Sequence, residues 1–131
     1  VGTYHKKSLN IKEIASRLVI ECNSSVPNNR EYLESLPGVG RKTANVVLSN
    51  LFNENCIAVD THVKRVSVRL KIADINDSPL EVEKKLYQFF SDEDFSKLHH
   101  RLVLFGRYYC KAINPKCHNC KLNDICNKKV L

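Results

Sequence analysis

Leu36-Pro37-Gly38-Val39-Gly40-Arg41-Lys42-Thr43-Ala44-Asn45-Val46-Val47-Leu48 is the stretch on which the reading of this sequence turns. Pro-Gly-x-Gly punctuates the chain, and Ala44, Val47, Leu48 and Leu51 recur after it at helical spacing. A helix is therefore expected to begin near Gly40, behind a short helix over Arg30 to Leu36, so that two helices are joined by a hairpin turn. The first charges of the second helix have the wrong sign. Unpaired N–H groups and the macrodipole at a helix N-terminus favour anions, yet Arg41 and Lys42 stand there.

Working outward, Ile11, Ile14, Ala15, Leu18, Val19 and Cys22 recur every three or four residues and predict an amphipathic helix capped by Ser8. Val26-Pro27-Asn28-Asn29 ends it. After the hairpin, Asn53-Glu54-Asn55 breaks the helix, Cys56-Ile57-Ala58-Val59 reads as a short buried extended link, and Asp60 is placed to cap a helix running through Leu70. Ser78-Pro79-Leu80-Glu81 combines a capping box with proline at the first helical position, predicting a helix from about Pro79 to Phe90. Phe95, Leu98, Leu102 and Phe105 give a last helix its apolar stripe, ending between Gly106 and Tyr109. No segment carries the alternation of a strand, so the class is all-α with an irregular cysteine-rich tail. The break suggests two domains, 1–54 and 55–131.

A chain of 131 residues with 43% hydrophobic content can build a buried core without disulfides. Its net charge is +7, and residues 101–131 hold +6 of it, with Arg101, Arg107, Lys111, Lys116, Lys121, Lys128 and Lys129 against Asp124 alone. That distribution suits a polyanion, nucleic acid first, although a solvated soluble face would look the same. No apolar run approaches bilayer length and the N-terminus has no signal-peptide core, so a soluble, intracellular protein without a membrane partner is expected. The chain has no methionine and begins at Val1, which suits a fragment or removal of an initiator methionine.

Gly38 and Gly40 allow close backbone approach, and the amides of the turn and helix start would converge on an anion such as a DNA phosphate. The helix N-terminus and Arg41 penalise the ammonium of Lys42 and favour the free amine, a nucleophile; a plain phosphate contact is the alternative. Asp60 could accept the amine's proton or stabilise a developing cation, besides capping its helix. Cys110-x6-Cys117-x2-Cys120-x5-Cys126 supplies four thiolates in one loop with little core of its own, enough for a tetrahedral zinc or a [4Fe–4S] cluster. Cys22 lies on an apolar helix face and Cys56 in the buried link, and both read as core residues.

These three motifs together resemble the endonuclease III family of iron–sulfur, helix–hairpin–helix DNA glycosylases and AP lyases. LPGVGRKTANVVL looks like their hairpin, AVDTHVKR like the segment with their catalytic aspartate, and the cysteine tail like their cluster loop, in the family's order and over nearly the whole chain. The resemblance implies Lys42 as nucleophile, Asp60 as catalytic carboxylate, and Cys110, Cys117, Cys120 and Cys126 as ligands of a [4Fe–4S] cluster. It implies DNA contacts from Leu36, Gly38, Val39, Gly40, Arg41, Thr43, His62, Lys111, Lys116 and Lys121.

The activity implied is base-excision repair by a monomer acting on double-stranded DNA. The enzyme would remove a damaged pyrimidine and cleave 3′ of the abasic site by β-elimination through a lysine Schiff base, in the cytoplasm at the nucleoid if bacterial. Adenine-mismatch glycosylases share the hairpin and cysteine spacing but typically carry serine where this chain has Lys42. A non-catalytic DNA-binding fragment and a zinc-stabilised interaction module are the competing readings. Family members begin well before the segment matching Val1, so the first domain corresponds to the C-terminal part of a six-helix domain. The apolar face of the first helix is then expected to lack partners.

Overall fold

A computed structural model describes residues 3–126. Among them there are six α-helices, one short 3₁₀ turn and no strand, so the all-α expectation holds. The chain divides into two compact units, Val1–Glu54 and Asn55–Leu131.

The first unit contains α1 (Tyr4–Glu21), α2 (Arg30–Ser35) and α3 (Arg41–Phe52). Helix α1 begins earlier than Ser8, whose hydroxyl instead bonds the His5 carbonyl one turn back at 2.8 Å. Serine back-bonding inside a helix and serine capping carry the same local sequence signal, and here the former operates. No residue of α1 is fully buried; Leu9, Ile11, Val19 and Ile20 are exposed. Its attachment to α2 is polar: the Arg17 guanidinium bonds the Ser35 carbonyl at 3.0 Å and lies 5.3 Å from the centre of the Tyr32 ring. Helix α2 is capped by Asn29, which accepts from the Tyr32 N–H. Leu33, Leu36, Ala44 and Leu48 form the small apolar centre between α2 and α3, with Asn45 buried beside them and held by Arg30.

The second unit contains α4 (Thr61–Arg69), α5 (Pro79–Phe89) and α6 (Phe95–Tyr108), followed by a loop with a 3₁₀ turn over Cys117–Asn119. Ile57, Val59, Val63, Val66, Val82, Leu86 and Leu102 lie at its core. Side chains cap all three helices: Asp60 for α4, Ser78 with the full capping box for α5, and Asp94 for α6. Gly106 lets α6 and α4 touch closely, since a β-carbon there would lie 2.9 Å from His62 Cβ and 3.2 Å from Val66 Cγ2. Among the described residues no helix is long and apolar enough to cross a membrane.

Candidate nucleic-acid interface and metal centre

In the hairpin, the Val39 N–H closes on the Leu36 carbonyl at 3.1 Å, with Pro37 next and Gly38 at φ +77°. Proline then a glycine of positive φ is the pattern of a type II turn, and any other residue at Gly38 would be strained. A β-carbon there would also collide with the Asn10 side-chain amide. Leu36 is only 4% exposed, so its side chain anchors the turn from beneath, and the Val39 N–H is spent on closing it. Gly38 and Gly40 are exposed and Val39 half-buried.

Gly40 is the N-cap of α3, with extended backbone and no side-chain cap, and the first turn has no acidic residue. The opening N–H groups of an α-helix have no partner within the helix. Arg41, Lys42 and Thr43 ring this end, all exposed. The result is a concentrated patch of amide and side-chain donors at a glycine-led helix start, chemically suited to a phosphate and close enough for a backbone to approach.

Asp60 begins α4 in the second unit. Its Oδ1 accepts the Val63 N–H at 2.8 Å, and the side chain is half-buried. The link before it is nearly inaccessible, with Ile57 at 0% and Val59 at 7% exposure, and both neighbouring helices hold its backbone. The Ile57 N–H donates to Tyr87 Oη at 3.1 Å, and that hydroxyl donates to buried Glu83 at 3.2 Å. Burial pushes the Tyr87 hydroxyl up to about 12, so it stays a donor across the physiological range. On the other side, His99 Nδ1 lies 2.9 Å from the Ala58 carbonyl and therefore carries the proton. His62, half-buried on α4, has Nδ1 3.2 Å from Arg65 Nη2. Lys42 belongs to the first unit and Asp60 to the second.

The four cysteines of the tail meet. Cys110, Cys117, Cys120 and Cys126 line one cavity of about 130 Å³ together with Arg69, Leu70, Phe105 and Tyr109. Among the described residues no three His, Cys, Asp or Glu side chains are grouped to hold a metal ion. Four sulfur donors around one cavity suit a tetrahedral zinc or an iron–sulfur cluster in chemistry. Burial, reinforced by the other three cysteines, raises the Cys126 thiol, while Arg69 opposes the rise. Few internal bonds hold the loop, among them Cys120 N–H to the Cys117 carbonyl and Tyr109 Oη to the Asn119 carbonyl. Lys111, Lys116 and Lys121 are exposed around it, while Lys128 and Lys129 lie outside the described residues. Cys22 is half-buried and Cys56 is buried, both away from this cavity's lining.

Sequence reading missed two residues of this region. Arg65 and Arg69 stand one turn apart on α4, and both reach the start of the cysteine loop. Arg65 Nε bonds the Cys110 carbonyl at 3.2 Å and Nη2 the Gly106 carbonyl at 2.7 Å. Arg69, only 6% exposed, reaches the carbonyls of Cys110, Lys111 and Ala112 and comes within 3.2 Å of Cys110 Sγ. The sequence signal was two arginines spaced i, i+4 on a helix that also carries Val63, Val66 and Val68.

Residues 1–92 match the family described as HhH-GPD superfamily base excision DNA repair protein, and residues 110–126 match the iron–sulfur binding domain of endonuclease III. The loop is thus an iron–sulfur binding domain, and its cofactor is a [4Fe–4S] cluster. The chain is 49% identical to endonuclease III of Bacillus subtilis (strain 168), covering 98% of this chain and 58% of that one. Against endonuclease III of Escherichia coli (strain K12) the identity is 43%, covering 98% and 61%. The fold superimposes on a trapped endonuclease III–DNA covalent intermediate with a TM-score of 0.91 at 49% identity, covering 97% of this chain and 60% of that chain. On a thermostable thymine-DNA glycosylase the TM-score is 0.72 at 25% identity, covering 90% and 56%. The chain spans about three-fifths of the length of the curated relatives it matches.

Proposed function

The chain belongs to the HhH-GPD superfamily of base excision DNA repair proteins, and from that premise we propose that it carries the lyase chemistry of a bifunctional DNA glycosylase acting on damaged pyrimidines and abasic sites. The observation that carries the proposal is the start of α3: an exposed lysine in the first turn of an uncapped, glycine-led helix. A lysine serving only solubility would sit more favourably at a helix C-terminus, where the dipole welcomes a cation.

The glycosidic bond is inaccessible inside the stack, so the target nucleotide is flipped out of the duplex. The Lys42 amine attacks C1′, forming a C–N bond as the C1′–N bond to the base breaks and the base leaves with its electron pair. Ring opening gives an iminium to the open sugar. Loss of a C2′ proton then expels the 3′ phosphate, breaking the C3′–O bond by β-elimination, and water releases the enzyme from the imine. Asp60 takes the proton that Lys42 loses or stabilises positive charge on the sugar, using Oδ2 while Oδ1 holds the cap. Its position is defined because the preceding link is tied on both sides, by Tyr87 at Ile57 and by His99 at Ala58.

The turn and α3 amides, with Gly38, Gly40, Arg41 and Thr43, hold a phosphate near Lys42, and Val39 and His62 complete the contacts. Leu36 acts through the turn it anchors rather than through its buried side chain. Cys110, Cys117, Cys120 and Cys126 would hold the cluster, which supplies order to the loop and a one-electron redox centre. Lys111, Lys116 and Lys121 then face the DNA backbone from that ordered loop. Residues 1–54 and 55–131 act as two domains on one monomer, at the nucleoid in a bacterial cell. A relative solved as a covalent intermediate with DNA supports the covalent route.

The test is borohydride trapping of the iron-loaded chain on a duplex with one abasic site. A covalent adduct is expected, and Lys42→Ala should abolish it while changing DNA affinity only about tenfold or less. Absence of an adduct from protein that is iron-loaded and binds the duplex would favour the second reading, a non-catalytic DNA-binding piece. The exposed apolar residues of α1 speak for that alternative.

A further inference from the structure

A guanidinium keeps its charge at any physiological pH, and burying one without an anion is costly. Arg69 is 6% exposed, and its partners are three carbonyl oxygens, of Cys110 at 3.3 Å, Lys111 at 2.7 Å and Ala112 at 3.4 Å, together with Cys110 Sγ at 3.2 Å. None of the ion pairs among the described residues includes it. Carbonyl dipoles satisfy its N–H groups but leave its charge uncompensated. It helps to line the cavity that the four cysteines share.

We propose that Arg69 is the buried counter-cation of the iron–sulfur cluster, setting the cluster's reduction potential and its retention through charge rather than through shape alone. The inference rests on the assignment of Cys110 as a ligand. Four thiolates around a [4Fe–4S]²⁺ core give a net charge of about −2, and losing one electron reduces that negative charge. A cation 3.2 Å from one ligand sulfur favours the more negative, reduced form of any one-electron couple. Arg65 separates the two roles of the pair. It bonds the Cys110 carbonyl and is half-buried, with no bond to sulfur, so it chiefly anchors the loop backbone and its charge is better screened by solvent.

The experiment is film voltammetry of the iron-loaded chain, in which an electrode removes one electron from the cluster, with iron content measured in parallel. Arg69→Gln keeps hydrogen-bonding capacity and removes the charge. The expected result is a shift of at least tenfold in the oxidised-to-reduced ratio toward the oxidised form at fixed potential, about 59 mV for one electron. Arg69→Lys, which keeps the charge and loses the planar fork, should stay within threefold of the unaltered protein. An iron-loaded Arg69→Gln with an unchanged ratio, or an iron-loaded Arg69→Lys that shifts as far as Gln, would overturn the proposal.

Should Gln not take up iron, Lys decides alone. Loading with a native ratio upholds the role of charge, whereas no loading by Lys either means that only the carbonyl fork matters, and the proposal fails. An unaltered chain without iron would refute the ligand assignment instead, so the two failures are told apart by iron content.

Discussion

Helices α3 and α4 begin alike in backbone and differently in chemistry. Both N-cap residues are extended, Gly40 at φ −104° and Asp60 at φ −100°. At α4 the aspartate turns its own oxygen onto the helix and satisfies the Val63 N–H; at α3 no side chain does so, and the nearest charges are cations. A start that caps itself satisfies one of its orphan donors from within, and one that does not leaves that donor to another acceptor. Nearly every helix after α1 is of the first kind, since α2, α4, α5 and α6 all have side-chain caps. The bare start of α3 is therefore a local departure from how this chain ends its helices. Such departures are expected where function and stability pull apart.

The largest effect that would test the contrast is at Asp60, where cap and chemistry share one side chain. Asn is as good a cap as Asp but cannot accept a proton or balance a sugar cation. Asp60→Asn should leave the urea midpoint nearly unchanged and lower the rate of base removal and strand cleavage by about a hundredfold or more. Asp60→Ala should lose the rate similarly and about 1 kcal/mol of stability besides. A fully active Asp60→Asn would reduce Asp60 to a cap, and the two helix starts would then differ only in stability.

A smaller effect is expected at Gly40. The position accepts a side chain without strain, because its φ is negative and a β-carbon there meets nothing within 4 Å. Gly40→Asp makes the start of α3 resemble that of α4. It should stabilise the chain slightly while weakening binding to an abasic duplex about tenfold, since a carboxylate would occupy the donors and repel phosphate. Unchanged affinity in a fluorescence titration would show that the α3 start does not bind the backbone.

How much of this was legible depended on how local the signal was. The caps at Asp60 and Ser78 were readable because capping is decided within four residues, and the cysteine loop because its ligands lie within seventeen. Ser8 misled for the same reason: a serine one turn into a helix has a second local option, the His5 carbonyl, that sequence does not separate from capping. Leu36 was legible as part of the turn but not as its buried anchor. Arg65, Arg69 and His99 were illegible because their partners are backbone carbonyls about forty residues away in sequence. A carbonyl has no residue type, so no motif announces it. Glu83 lies in the core with Tyr87, which also accepts from the Ile57 N–H, and nothing local in the sequence marks it apart from the other charges of its helix.

The mildest substitution sharpens the comparison most, because it changes the cap without changing charge. Gly40→Ser offers the α3 donors a neutral hydroxyl in place of none. Serine outranks glycine as a cap by only a few tenths of a kcal/mol, so the urea midpoint should rise by that much if the first-turn N–H groups are open in the free protein. Affinity for the abasic duplex should fall less than with Asp, because a hydroxyl yields to phosphate where a carboxylate repels it. A serine variant no more stable than the parent would mean that those N–H groups are already satisfied, and the bare start of α3 would cease to be a binding feature. Stability gained together with affinity lost is the outcome that ties the missing cap to the ligand, since a purely structural glycine would be improved by a better cap at no cost to binding.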